Sequence, residues 1–248
     1  MAKLPGRPSK RVAVFAIGGA LALVIGAFLV IYFVIFPTSS PKPFTLSTAS
    51  TSGTTTATAT ATPTASVSEL TGAWKIVGGS QAGYRVREKL AFLPAESDAV
   101  GRTSQVTGSA TFSQSNGTVT ITAASFNVAV NTLTSDRSQR DEKIHEIGLE
   151  SSRYPTATFV LSTPLTVSAS AIKGKVAHVS VTGVFNIHGS AKKETLPVEM
   201  SLSGSTFQAV GALSFPWSKF GMSAPSIGGF VNVSETATME FDLHLQHA

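Results

Sequence analysis

The sequence predicts an all-β, antiparallel domain carried behind a single membrane-spanning helix. Three observations point there: two-residue alternation of apolar and polar side chains through most of residues 72–248, one unbroken apolar run near the N-terminus, and a Ser/Thr/Pro/Ala-rich stretch between the two.

The apolar run comes first. Residues 12–36, VAVFAIGGALALVIGAFLVIYFVIF, hold no charge and no proline. At about 1.5 Å per residue, such a helix reaches about 37 Å and crosses a hydrocarbon core of about 30 Å with some tilt. The flank at residues 1–11 carries Lys3, Arg7, Lys10 and Arg11 and no acid, which places the N-terminus in the cytoplasm and everything after Phe36 outside. A cleaved signal peptide would have a shorter apolar region, about 7–15 residues, and a small-residue cleavage site. FPTSSPK offers none, so a retained signal-anchor is expected. Residues 37–71 read as a linker. In residues 37–68, 27 of 32 side chains are Ser, Thr, Pro or Ala, too little apolar bulk to repay the entropy of ordering. As a disordered coil this stalk would hold the domain roughly 30 Å from the bilayer.

Charge and cysteine content remove several function classes. The formal charge is +5 at pH 7, and Lys42 together with the basic flank accounts for it; from Pro43 onward there are 14 basic and 14 acidic residues. Without a clustered positive field the exported part is not expected to bind nucleic acid. The chain has no cysteine, so disulfides, zinc–thiolate sites and thiol catalysis are excluded.

Residues 72–248 then supply about eight strands and one short helix. VSVTGVFNIHG sets Val179, Val181, Gly183, Phe185 and Ile187 against Ser180, Thr182, Val184, Asn186 and His188. LPVEMSL, FQAVGALSF and the long run from Val231 to Leu245 alternate in the same way. VTITAASFNVAV slips phase between Ala123 and Phe126, the mark of a bulge. One wet and one apolar face per strand require a second sheet or closure into a barrel. Gly183 and Gly211, set within apolar stripes, leave space inside or let strands bend, which favours a curved or closed sheet.

Catalytic templates do not fit. KIHEIGL opens like a zinc-protease helix, but Leu149 stands where H-E-x-x-H needs its second His. GGSQA has Ala82 where the nucleophile elbow needs Gly. His178 and His188 share one strand about 33 Å apart and hold no metal together. No enzyme activity, metal or cofactor is expected. Glu235, on the apolar parity of the last strand, is either a buried carboxylate needing a partner or turned outward by a bulge. The stretch SDRSQRDEKIHE concentrates seven of the 33 charged residues. Its i,i+4 pairs Asp136–Arg140 and Arg137–Asp141, a Ser135 cap, an Ile144/Ile147 edge and Gly148 as terminator predict a short helix. That helix is either simply solvated, or it turns Arg137, Arg140 and Lys143 toward an anionic ligand at a barrel mouth.

SDRSQRDEKI followed by ESSRYPTATFVLST resembles the N-x-x-R-D and F-x-x-x-x-Y-P-x-x-x-F segments of the YceI-like family. VTGVFNIHGSAKKETLPVEM, FPWSKFGM and VNVSETATMEFDLHL are similar to its later segments, in the same order. GYRVREKLAFLPAESDAVGRT stands where the family opens with H-S-x-V-x-F. The resemblance implies a lipocalin-like, eight-stranded antiparallel barrel over residues 72–248, exported, that encloses a polyisoprenoid chain. Phe126, Phe159, Phe185, Phe207, Leu213 and Phe241 are then the inward, tail-binding candidates. Arg137, Arg140, Lys143 and Arg153 are the head-group candidates, for a polyprenyl phosphate or an isoprenoid quinone. The expected partners are that lipid and the membrane. Two other readings stay open: a stalked envelope interaction or stress-protection domain with a filled barrel, and an enzyme on a prenyl lipid using Glu235 or Asp141.

Overall fold

The computed structural model describes residues 40–46, 70–90, 96–225 and 231–248. The expected anchor at residues 12–36 and most of the expected linker lie outside the described residues. Among the described residues no helix is long and apolar enough to cross a membrane. The described residues between Pro41 and Ala248 form one compact unit.

Among the described residues eleven strands make one sheet: β1 (Gly72–Ile76), β2 (Gln81–Leu90), β3 (Glu96–Thr103), β4 (Val106–Ser115), β5 (Thr118–Ala129), β6 (Thr156–Leu161), β7 (Leu165–Ser168), β8 (Ala177–Ile187), β9 (Ser190–Ser203), β10 (Thr206–Pro216) and β11 (Val231–His247). The count falls to eight staves once the breaks are recognised. β1 and β2 both pair with β11, at Ile76↔Leu245 and Gln81↔Asp242, as one strand interrupted at residues 77–80. β3 and β4 likewise run on through residues 104–105, and β6 and β7 both pair with β5. Each stave is antiparallel to its neighbours, and β11 returns to β1, so the sheet closes. This is the expected eight-stranded barrel, and closure leaves few unpaired edges.

Local sequence explains its corners. Asn116 and Gly117, with φ of 50° and 73°, form the β4–β5 turn, and His188 and Gly189, at 53° and 71°, form the β8–β9 turn. Two consecutive left-handed residues match the right-handed strand twist, which is why Asn-Gly and His-Gly stand there. Pro197 has no N–H to donate and sits just past Val198, the last β9 residue paired with β10. Above it β9 leaves β10, and the 3₁₀ turn Trp217–Phe220 covers the gap, with Lys219 2.7 Å from Glu194. β5 does carry a bulge, but at Thr122 rather than between Ala123 and Phe126: pairing with β4 passes from Phe112↔Ile121 to Thr111↔Ala123, and the inward set passes from buried Val119 and Ile121 to half-buried Ala124, Phe126 and Val128.

Because the staves alternate direction, the connections fall at two ends. One end carries residues 130–155, the 188–189 turn and residues 217–225. Helix α1 (Ser138–Lys143) and one π-helical turn, Ile144–Gly148, lie here. The other end is shut by apolar packing. Trp74 stacks on Phe112 at 5.2 Å, Phe207 meets Phe112 edge-on at 4.9 Å, and Ile172, in the short helix α2 (Ala169–Ile172), is fully buried.

The charged helix differs from its sequence expectation. It begins at Ser138, with Arg137 at the N-cap and no side-chain cap bond. Ser135 does not cap it; instead Asp141 Oδ1 accepts the Ser135 N–H at 2.8 Å. The Ser135 hydroxyl is used one step too early to cap, accepting the Arg137 N–H at 3.2 Å ahead of the first helical residue. Ile144 is buried, but Ile147 is exposed, because the π turn rotates it off the packed face.

Residues 41–46, within the stretch read as linker, pack on the outer wall. The Pro41 carbonyl accepts from Arg85 Nη2 at 2.6 Å, the Lys42 carbonyl accepts from Arg102 Nη2 at 2.5 Å, and the Phe44 ring lies 3.8 Å from the Arg102 guanidinium. Leu70 is also buried, and its carbonyl accepts from Trp74 Nε1.

Candidate functional site

The inward side chains enclose a cavity of about 190 Å³ that extends from Phe112, Phe207 and Leu245 at the shut end to Ile144, Leu149, Trp217 and Met222 beneath the helix. Its lining is almost entirely aliphatic and aromatic. No Arg, Lys or His lines it among the described residues. An apolar cavity of about 150 Å³ stays dry and takes up benzene. This one therefore has room for the first five-carbon units of a prenyl chain, and a longer tail needs rings to move.

How the lumen stays open is visible in the pairing. Four aromatic rings each lie over a glycine on the adjacent stave: Tyr84 over Gly101, Phe126 over Gly108, Phe159 over Gly183 and Phe241 over Gly211. A Cβ at Gly183 would come within 2.1 Å of Phe159, and one at Gly211 within 2.6 Å of Phe241. The missing side chains let the rings lie against the wall, where a Cβ would push them into the lumen. Phe126, Phe159 and Phe185 continue as a row, with centroids 6.3 and 4.8 Å apart.

Of the tail candidates, Phe126, Phe159, Phe185, Phe207 and Phe241 line the cavity. Leu213 is buried but is not part of the lining. Sequence reasoning passed over Tyr84, Ile121, Met200 and Met239. Tyr84 was within reach, since Ala82, Tyr84 and Val86 alternate with Arg85 and Arg87 in the stretch that departs from the family opening.

The head-group candidates gather at the helix end, and each lies near a carboxylate. Arg140 bonds Asp136, as expected, and also Glu88 on β2 at 2.5 Å. Those carboxylates raise the Arg140 pKa against the opposing effect of burial. Lys143 lies 2.9 Å from Glu146, Arg137 3.8 Å from Asp136, and the exposed Arg153 4.0 Å from Glu150 and over the Tyr154 ring. None of the four lines the cavity.

The two acids singled out from the sequence are not in the lining either. Glu235 is exposed where the β11–β2 register shifts between Val233 and Ala237, so the bulge turns it outward. Asp141 is held by Ser135. The buried carboxylate is instead Glu240, bonded to Arg102 at 2.7 Å and Arg85 at 3.3 Å on the outer face, beneath residues 41–46. No local pattern marks it, because its partners Arg85 and Arg102 stand 155 and 138 residues away in the chain.

The YceI-like domain family matches residues 45–245. Among solved structures, the chain is similar to a polyisoprenoid binding domain from Saccharophagus degradans implicated in plant cell wall breakdown, with a TM-score of 0.52 and 13% identity over 71% of this chain and 98% of that one. It is also similar to BcnA of Burkholderia cenocepacia (TM-score 0.47, 19% identity, 66% and 95% covered) and to a YCEI protein of Campylobacter jejuni (TM-score 0.45, 12% identity, 84% and 99% covered). At these identities the likeness concerns the fold. No curated protein matches the chain. The matched stretch covers the barrel from β1 to Leu245 but begins after Pro41, Lys42 and Phe44, which make the outer-wall contacts, and on that match the chain belongs to the YceI-like family.

Proposed function

We propose that this chain is a single-pass, extracytoplasmic binding protein that holds an isoprenoid lipid, its tail in the barrel and its head at the end closed by α1. The observation that carries the reading is the apolar cavity running along the barrel. Burying a prenyl tail is worth about 0.8 kcal/mol per CH₂, roughly 4 kcal/mol per five-carbon unit, so such a lipid does not cross water unshielded. The binding of a polyisoprenoid by the Saccharophagus domain supports the same ligand class here. Binding rather than turnover is favoured because no carboxylate pair or nucleophile–base pair faces the cavity among the described residues. The apolar run at residues 12–36 and its basic flank support an anchor with the N-terminus inside.

The modest cavity volume favours a second reading, a filled barrel serving as an envelope interaction or stress-protection domain. One experiment separates the two. A short-chain prenyl alcohol added to the full chain in micelles should raise Tm in the wild type, and Phe185→Trp, which fills the lumen, should abolish the rise while keeping the β circular dichroism spectrum. No rise in the wild type favours the filled barrel. Loss of the chain from membranes under an alkaline carbonate wash would overturn the anchor.

A further inference from the structure

Tyr84 stands on β2 with its ring lining the cavity and lying over Gly101. The residue is 8% exposed, and its hydroxyl is buried with no hydrogen-bond partner among the described residues. The other polar side chains along the lining are committed or face outward. Glu240 is held by Arg85 and Arg102, Thr238 bonds Ser214, and Trp217 Nε1 donates to the Ser234 carbonyl. Thr158 has the outward parity of β6, between the lining residues Ala157 and Phe159. A buried polar group without a partner is expensive, so an orphaned donor in a ligand cavity signals what the ligand brings.

The surroundings define the acceptor. Burial raises the Tyr84 pKa well above its ordinary value, which keeps the phenol protonated as a donor. Among the described residues no cation lines the cavity, and Arg140, the cation whose charge acts on the Tyr84 hydroxyl, is paired with Glu88 and Asp136. The charged groups that act on the Tyr84 hydroxyl are one base, Arg140, and three acids, Asp141, Glu88 and Asp136. A phosphate entering here would be desolvated without a counter-charge. An uncharged oxygen needs only one donor.

We propose, resting on the lipid reading above, that Tyr84 sets head-group specificity by donating a hydrogen bond to a neutral oxygen of the bound isoprenoid, a quinone carbonyl or an alcohol, in preference to a phosphate. Native mass spectrometry of the full chain released from micelles tests it, using equimolar pairs of probes with equal prenyl length. Wild type should retain a prenylated benzoquinone about three- to tenfold better than the matching prenyl hydrocarbon, as one net hydrogen bond allows. It should also retain the prenyl alcohol better than its monophosphate. Tyr84→Phe should erase the quinone preference, leave hydrocarbon retention unchanged, and keep or raise the ligand-free Tm, since it removes an unpartnered hydroxyl. Hydrocarbon and quinone retained alike by wild type and Tyr84→Phe would overturn the role of Tyr84 while leaving lipid binding intact. So would a monophosphate that outcompetes the alcohol, or a marked fall in the ligand-free Tm of Tyr84→Phe. Retention of no probe would remove the lipid reading and this proposal with it.

Discussion

Glu240 illustrates what single residues contribute. Its side chain is 3% exposed, and both oxygens are bonded to guanidinium groups. Arg85 is shared with Asp98, at 3.0 Å, and both arginines also donate to carbonyls of residues 41 and 42. Removing one partner of such a buried cluster leaves uncompensated charge, which typically costs about 3–5 kcal/mol. Glu240→Ala should therefore lower unfolding stability by about 3 kcal/mol in urea denaturation, with Glu235→Ala, at the exposed bulge, within about 0.5 kcal/mol. Equal effects of the two substitutions would contradict the placement. Sequence parity drew attention to Glu235 because it interrupts an apolar stripe. Glu240 has the polar parity proper to a solvated face, and the guanidinium groups of Arg85 and Arg102, themselves bonded to residues 41 and 42, make that face an interior.

At the scale of elements, glycine and ring work as pairs across neighbouring staves. Gly183→Ala places a Cβ 2.1 Å from the Phe159 ring and 2.7 Å from the Val160 carbonyl oxygen. Backbone does not yield cheaply, and overpacking of this kind costs about 1–3 kcal/mol. The expected result is a loss of that size, together with weaker retention of any prenyl probe as the displaced ring enters the lumen. Gly78→Ala, which meets nothing within 4 Å, serves as the control and should be near neutral. Gly183 and Gly211 were recognisable from sequence as spaces in apolar stripes, but the rings that occupy those spaces come from β6 and β11 and required the pairing register. The charged helix was legible in position and in its Asp136–Arg140 pair. Its start, its π turn and the contact from Arg140 to Glu88 were not, since they depend on β2 packing beside it.

The whole molecule was legible as a closed antiparallel barrel because alternation is a backbone-level signal with a fixed period of two. The eight staves were countable, although three of them are each broken into two shorter strands. The breaks at residues 77–80, 104–105 and 162–164 leave the parity pattern nearly intact and so hide in the sequence. The extent of the packed unit was less legible. Composition assigned residues 41–46 to a linker, yet two backbone carbonyls and one phenylalanine dock them on the wall, and backbone acceptors carry no sequence signature. The end closed by Trp74, Phe112 and Phe207 and the end covered by α1 make the barrel asymmetric: one plugged with aromatic rings, the other with titratable groups at its rim. That polarity suits a ligand with one apolar and one polar end.

The most direct measurement is native mass spectrometry of the full-length chain isolated from its own membranes, followed by solvent extraction and identification of whatever is retained. The expected result is one isoprenoid lipid with a neutral oxygen-bearing head per chain, lost in Phe185→Trp. A ligand-free mass that stays unchanged after incubation with prenyl quinones, alcohols and phosphates would contradict the binding function and leave a barrel filled by its own side chains.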